Sequence, residues 1–146
     1  KEVNIKTARE GTLFLTLDDN ISFSCFKYKY KLIEPLILLD KIKLASIEDI
    51  AAMKLIAIVQ RGRKRDFIDI YYLLQKYSLA QLVNFAVKKY TGYEQMLILR
   101  ALIFFQDAEN EDESRGIQVL DKNFSWKKAK QTIEEEVKKD QINMLR

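Results

Sequence analysis

Lys54 is the single charge in Ala51-Ala52-Met53-Lys54-Leu55-Ile56-Ala57-Ile58-Val59, and Asp69 the single charge in Phe67-Ile68-Asp69-Ile70-Tyr71-Tyr72-Leu73-Leu74. An ion taken from water without a counter-charge costs on the order of several kcal/mol. Lys54 must therefore reach solvent, meet a carboxylate or border a cavity that holds anions. Asp66 lies three residues before Asp69, on the same face of a helix. A helix hairpin closed near Gly62 brings that face against the helix that carries Lys54, so Lys54 with Asp69 or Asp66 is the expected pair. Two readings of the pair stay open: an internal salt bridge that fixes helix register, or a lysine poised for a nucleoside triphosphate with a carboxylate that orients it.

Between the two runs lies Arg61-Gly62-Arg63-Lys64-Arg65, four cations in five positions. Its last members fall at a helix N-terminus, where backbone N–H groups and the dipole favour phosphate, and guanidinium forks match phosphate oxygens. We therefore expect Arg61, Arg63 and Lys64 to contact phosphate or an RNA backbone; the alternative is a solvated loop. Tyr71-Tyr72, Phe104-Phe105 and the Tyr28/Tyr30 alternation have rings that could stack on bases, but aromatics at such spacing are expected in the core. The acidic run from Asp107 to Glu113 lacks the spacing of a calcium loop and is expected to be a solvated connection.

Composition excludes several chemistries. With no histidine and one cysteine, Cys25, neither a Cys/His nucleophile nor a zinc site is expected, and no metal ligand is assigned. Any acid–base work falls to carboxylates or lysine. A lone thiol suits a reducing, cytoplasmic setting. No apolar stretch approaches the roughly 20 residues of a membrane span, and a start in mid-strand speaks against a signal peptide, so a soluble protein with no membrane partner is expected. Lys and Arg number 25 against 21 acids, a net charge of +4 that is local rather than spread.

The elements that must position these groups follow from periodicity. Residues 1–45 alternate polar and apolar, with strands at Val3 to Thr7, Thr12 to Leu17 and Ile21 to Lys27 and a turn at Asp18-Asp19-Asn20. Pro35 marks a connecting segment. From Ser46 the period is helical. Ser46 and Asp49 suit a capped first turn, and the helix should end at Gly62. Further helices are expected over about Lys64 to Tyr77, Leu79 to Tyr90, Tyr93 to Gln106 and Trp126 to Leu145. The fold class is α+β, with residues 1–45 forming one region and 46–146 a helical bundle.

The blocks Leu44-Ala45-Ser46-Ile47-Glu48-Asp49-Ile50-Ala51-Ala52-Met53-Lys54-Leu55 and Gln60-Arg61-Gly62-Arg63-Lys64-Arg65-Asp66-Phe67-Ile68-Asp69-Ile70-Tyr71 resemble the AbiEii/AbiGii family of nucleotidyltransferase-like toxins. Leu102-Ile103-Phe104-Phe105-Gln106-Asp107-Ala108-Glu109 is similar to a later Phe-Asp-Asp-Ala-Glu stretch of that family, with Gln106 in place of the first acid. The resemblance implies that the sheet is a remnant of a nucleotidyltransferase fold, that Lys54 and Arg65 contact the nucleotide and that Asp66 and Asp69 are the catalytic acids. It also implies a Gly-Ser loop for phosphates and an Asp-x-Asp pair for Mg2+. Gly11-Thr12 and Asp18-Asp19 do not supply them, because successive strand residues point to opposite faces.

The activity implied by the resemblance is magnesium-dependent transfer of a nucleotide from an NTP to an acceptor such as tRNA or another RNA, in a bacterial toxin–antitoxin or phage-defence system with a cognate antitoxin. Mg2+ is expected in the full-length protein and not on this chain alone, which is expected to be inactive, the missing motifs preceding Lys1. The rival expectation is a catalytically dead helical module that binds RNA or an antitoxin through Arg61, Arg63 and Arg65, with salt-sensitive affinity. A purely structural bundle, with no cleft beside Lys54 and Asp69, is the third.

Overall fold

The computed structural model describes residues 2–18, 21–111 and 117–144. Asp19 and Asn20 of the expected turn, Asp112 and Glu113 of the acidic run and Leu145 lie outside them. The class is α+β, as expected. The chain forms two compact units, Lys1–Tyr30 and Lys31–Arg146.

The first unit is an antiparallel meander of β1 (Val3–Arg9), β2 (Thr12–Leu17) and β3 (Ile21–Phe26) in the order β1-β2-β3. Gly11, at φ +73°, makes the first reversal, and its carbonyl accepts the Lys27 N–H at 2.7 Å. Asp18, at φ +48°, opens the second; a short polar side chain tolerates that region. Val3, Ile5, Phe14, Ile21, Phe23 and Phe26 are exposed, and none of the described residues of this unit is a buried hydrophobic.

The second unit starts with a tethered segment and a short hairpin, β4 (Ile37–Leu39) with β5 (Ile42–Leu44), reversing at Asp40 with φ +51°. Sequence periodicity does not mark this hairpin, because each strand has only three residues and those of β4 are apolar throughout. Residues 31–45 thus sit in the same compact unit as the helices. The helices are α1 (Ile47–Arg61), α2 (Lys64–Leu73), α3 (Leu79–Lys89), α4 (Gln95–Leu102), the short α5 (Gln106–Glu109) and α6 (Trp126–Met144).

Helix α1 packs against α2, α3 and α4, and α6 closes over α2, α3 and α4. No residue of α1 from Ala51 to Val59 is exposed, as its apolar circumference requires. Leu55, Phe67, Ile70, Leu82, Ile98, Leu99, Leu102 and Ile133 are completely buried, each worth about 1.5–3 kcal/mol of transfer free energy.

Two helices are shorter than their periodicity predicts. α2 stops at Leu73 because the next residues close tight turns, Lys76 N–H to the Leu73 carbonyl at 3.0 Å among them, before Ser78 caps α3 in a reciprocal box with Gln81. α4 breaks at Ile103 so that Phe105 can turn inward, its ring 5.0 Å from that of Phe67. Phe104, by contrast, is 52% exposed and not a core residue.

Candidate functional site

Helix α1 is capped at both ends by its own sequence. The Ser46 hydroxyl accepts the Asp49 N–H at 3.0 Å, and Gly62 ends the helix at φ +54° with its N–H on the Ile58 carbonyl. The left-handed Gly62 lets α2 begin at Lys64 and fold back on α1. A Cβ at Gly62 would stand 3.2 Å from the Cβ of Asp107. Gly62→Ala should therefore destabilise the protein by about 1–2 kcal/mol from the backbone conformation alone; an unchanged thermal melt would contradict this.

The hairpin brings Lys54 to both acids at once. Its Nζ lies 3.1 Å from Asp66 Oδ1 and 2.5 Å from Asp69 Oδ2. Asp66, in the first turn of α2 where the dipole favours an anion, is completely buried and also takes Arg61, whose Nη2 and Nε lie 3.0 and 3.1 Å from Oδ2. Two cations and two carboxylates thus form one chain of charge, closed at Asp66 and open at Asp69, which is 45% exposed. Burial works against the Lys54 ammonium, but Asp69 and then Asp66 outweigh it and raise its pKa above the usual lysine value. Lys54 is a cation at neutral pH.

Asp69 and Arg65, which is exposed, border a cleft of about 390 Å³ between α2 and residues 117–121, with Ile68 and Tyr72 in its wall. The Tyr72 hydroxyl donates to Asp121 Oδ2 at 3.2 Å across it. The expectation of a bundle with no cleft beside the pair is therefore not met. The cleft falls within the size range of small-ligand sites.

The rest of the basic loop is engaged with carboxylates. Arg63 Nε lies 3.8 Å from Glu111 Oε1, and the Lys64 N–H donates to Glu111 Oε2 at 2.9 Å. The helix terminus that the sequence offers to phosphate thus holds a carboxylate of the chain itself. Of the described members of the acidic run, Asp107 and Glu109 are exposed, Asp107 abutting Gly62 and Glu109 pairing with Lys130, while Glu111 holds the start of α2. Glu109 meets a cation and Glu111 a backbone N–H, which offsets the cost of fixing them.

Local sequence gives no sign of a second ion pair. Lys89 of α3 and Asp49 of α1, both buried, pair directly, and Lys89 Nζ also donates to the Lys31 carbonyl at 2.7 Å. Asp49 further accepts the Ile33 N–H at 3.0 Å, the Glu34 N–H at 3.2 Å and the Ser46 hydroxyl at 2.7 Å. Burial alone would raise the Asp49 pKa; Lys89, the two amides and Ser46 overcome it and hold the carboxyl down to about 2. This knot fastens residues 31–34 to the helices and sets the start of α1.

With this geometry the comparisons with known proteins acquire a structural meaning. A family model described as nucleotidyl transferase AbiEii toxin, type IV TA system, matches residues 26–141. The chain belongs to the AbiEii family. The match takes in Lys54, Arg61, Arg65, Asp66 and Asp69. An uncharacterized protein of Aquifex aeolicus (strain VF5) is 41% identical over 106 residues, 70% of this chain and 51% of the relative. The chain thus spans about half the length of this curated relative. No solved structure matches it. No described helix of this AbiEii-family chain is long and apolar enough to cross a membrane.

Proposed function

We propose that the helical unit forms the nucleotide-binding side of a nucleotidyltransferase toxin, with Lys54 facing the phosphates of an NTP at the rim of the Asp69 cleft. The observation that carries this reading is the asymmetry of the ion cluster. A salt bridge serving only helix register gains nothing from a second, exposed carboxylate beside a cleft, whereas Asp69 both pairs with Lys54 and lines that opening. Asp66, with both oxygens engaged by Lys54 and Arg61, is a positioning residue. Asp69 is the acid within reach of a ligand, and Arg65 supplies a guanidinium on the same cleft.

Transfer of a nucleotide to an acceptor hydroxyl builds charge on the phosphate oxygens, which a preorganised ammonium stabilises. A magnesium ion would supply further positive charge against those oxygens. The residues here do not fit the ion. Asp66 is engaged on both oxygens, and among the described residues no group of three or more His, Cys, Asp or Glu could hold a metal. The carboxylates of an Asp-x-Asp pair would have to come from outside this sequence, which contains none. A cognate antitoxin as partner and an RNA acceptor belong to the same proposal.

The test is toxicity. In the full-length toxin expressed inducibly in a bacterial host, Lys54→Met and Asp69→Ala should each abolish growth arrest and nucleotide transfer, at least about 100-fold for loss of a preorganised charge contact. Their thermal melts should stay close to wild type. Growth arrest undiminished in both variants would end the proposal.

A further inference from the structure

A second concavity, about 400 Å³, lies between the C-terminal turn of α1 and α4. Arg61, Arg100 and Asp107 are its charged groups, and Leu97, Ala101 and Phe104 give it an apolar wall. Leu97 and Phe104 stand exposed where a soluble surface would be expected to carry polar groups. Arg61 belongs to both places: two of its five N–H donors hold Asp66 in the Lys54 cluster, and the residue also lines this concavity.

We infer that this concavity seats one unstacked nucleotide at the end of a single-stranded RNA, its phosphate on Arg100 and Arg61 and its base against Phe104. Guanidinium groups beside an open aromatic ring form the pairing that single-stranded nucleic acid uses, charge for the backbone and a ring face for the base. Arg61 shares its charge with Asp66, so Arg100 is the principal cation of the lining. Asp107 disfavours a second phosphate but accepts hydrogen bonds from a ribose hydroxyl or a base amino group. The concavity admits a single nucleotide and not a duplex, which limits the ligand to an end or a splayed-out base. An acidic peptide would use the arginines but leave the Phe104 ring exposed to water. That this seat receives the acceptor strand of the transfer reaction rests on the nucleotide-binding role given to Lys54; the binding itself does not.

The test uses this chain with a fluorescein-labelled single-stranded oligoribonucleotide of about ten nucleotides, read by anisotropy at low salt, and a separate measurement of ATP and GTP binding. Wild type should bind the oligonucleotide. Arg100→Ala and Phe104→Ala should each weaken it about tenfold, the worth of one charge contact or one stacked base, and Phe104→Trp should retain it. Should Phe104→Ala melt early, Arg100→Ala, whose side chain is exposed, and Phe104→Trp decide the matter. Lys54→Met should remove NTP binding. If NTP binding survives Lys54→Met while the oligonucleotide results hold, the seat stands and the role of Lys54 falls. No oligonucleotide binding by wild type, affinities of Arg100→Ala and Phe104→Ala within about twofold of wild type, or equal competition by a polyaspartate peptide would each overturn the inference.

Discussion

Lys89→Met should cost the protein about 3–5 kcal/mol, because it leaves the Asp49 carboxylate buried without its cation. For a unit of this size that corresponds to a fall in melting temperature of about 10–20 °C. The loss should be larger than for any exposed lysine, such as Lys139, whose pair with Glu136 lies on the surface of α6. The double replacement Lys89→Met with Asp49→Ala should lose less than the sum of the two single changes, since it removes the orphaned charge along with the pair. Additive losses, or a Lys89→Met melt within a few degrees of wild type, would refute the coupling. The same knot sets a pH dependence. Asp49 is held at about 2 in the folded protein, below its ordinary 3.8, so its contribution is fully present above the ordinary value. As pH falls, the unfolded chain binds the proton first, and about 2 kcal/mol should be lost on going down through the folded value. Acid titration of stability should show this window in wild type and not in Asp49→Asn.

Asp66→Ala should be the most damaging change in the ion cluster. It removes the buried carboxylate shared by Lys54 and Arg61, leaving Lys54 with Asp69 alone and Arg61 without this partner. A loss of about 1–3 kcal/mol is expected from unpairing these groups. Asp69→Ala, at a half-exposed position, should cost less than about 1 kcal/mol. In the full-length toxin both should nevertheless suppress growth arrest. Equilibrium unfolding in urea beside the toxicity assay separates the two proposed roles, Asp66 acting through the placement of Lys54 and Arg61 and Asp69 acting at the cleft. Equal stability losses would remove that distinction.

Much of the fold was legible because it is encoded locally. Ser46 and Gly62 announce the ends of α1 through cap chemistry that spans a few residues. The alternation of residues 3–27 marks the three strands almost residue by residue. The Lys54 cluster was legible for a related reason. Isolated charges in apolar runs must find partners, and a tight turn at Gly62 leaves only the facing helix to provide them.

Longer-range choices were not legible. Lys88 and Lys89 are adjacent and equally suited to the negative end of α3, yet Lys89 is buried against an acid 40 positions away. Glu111, 47 positions from Lys64, reads as one more member of a solvated acidic run. Phe104 and Phe105 read alike as core, and only the break after α4 turns one inward and leaves the other open. By itself, then, the sequence determined the three-stranded meander, the long helices, the caps of α1, the family and the need of Lys54 for a counter-charge, since each depends on neighbours within one or two turns. Which acid answers which cation, which aromatic faces water and where clefts open were decided by tertiary packing, because those outcomes depend on distances between segments that no local periodicity records.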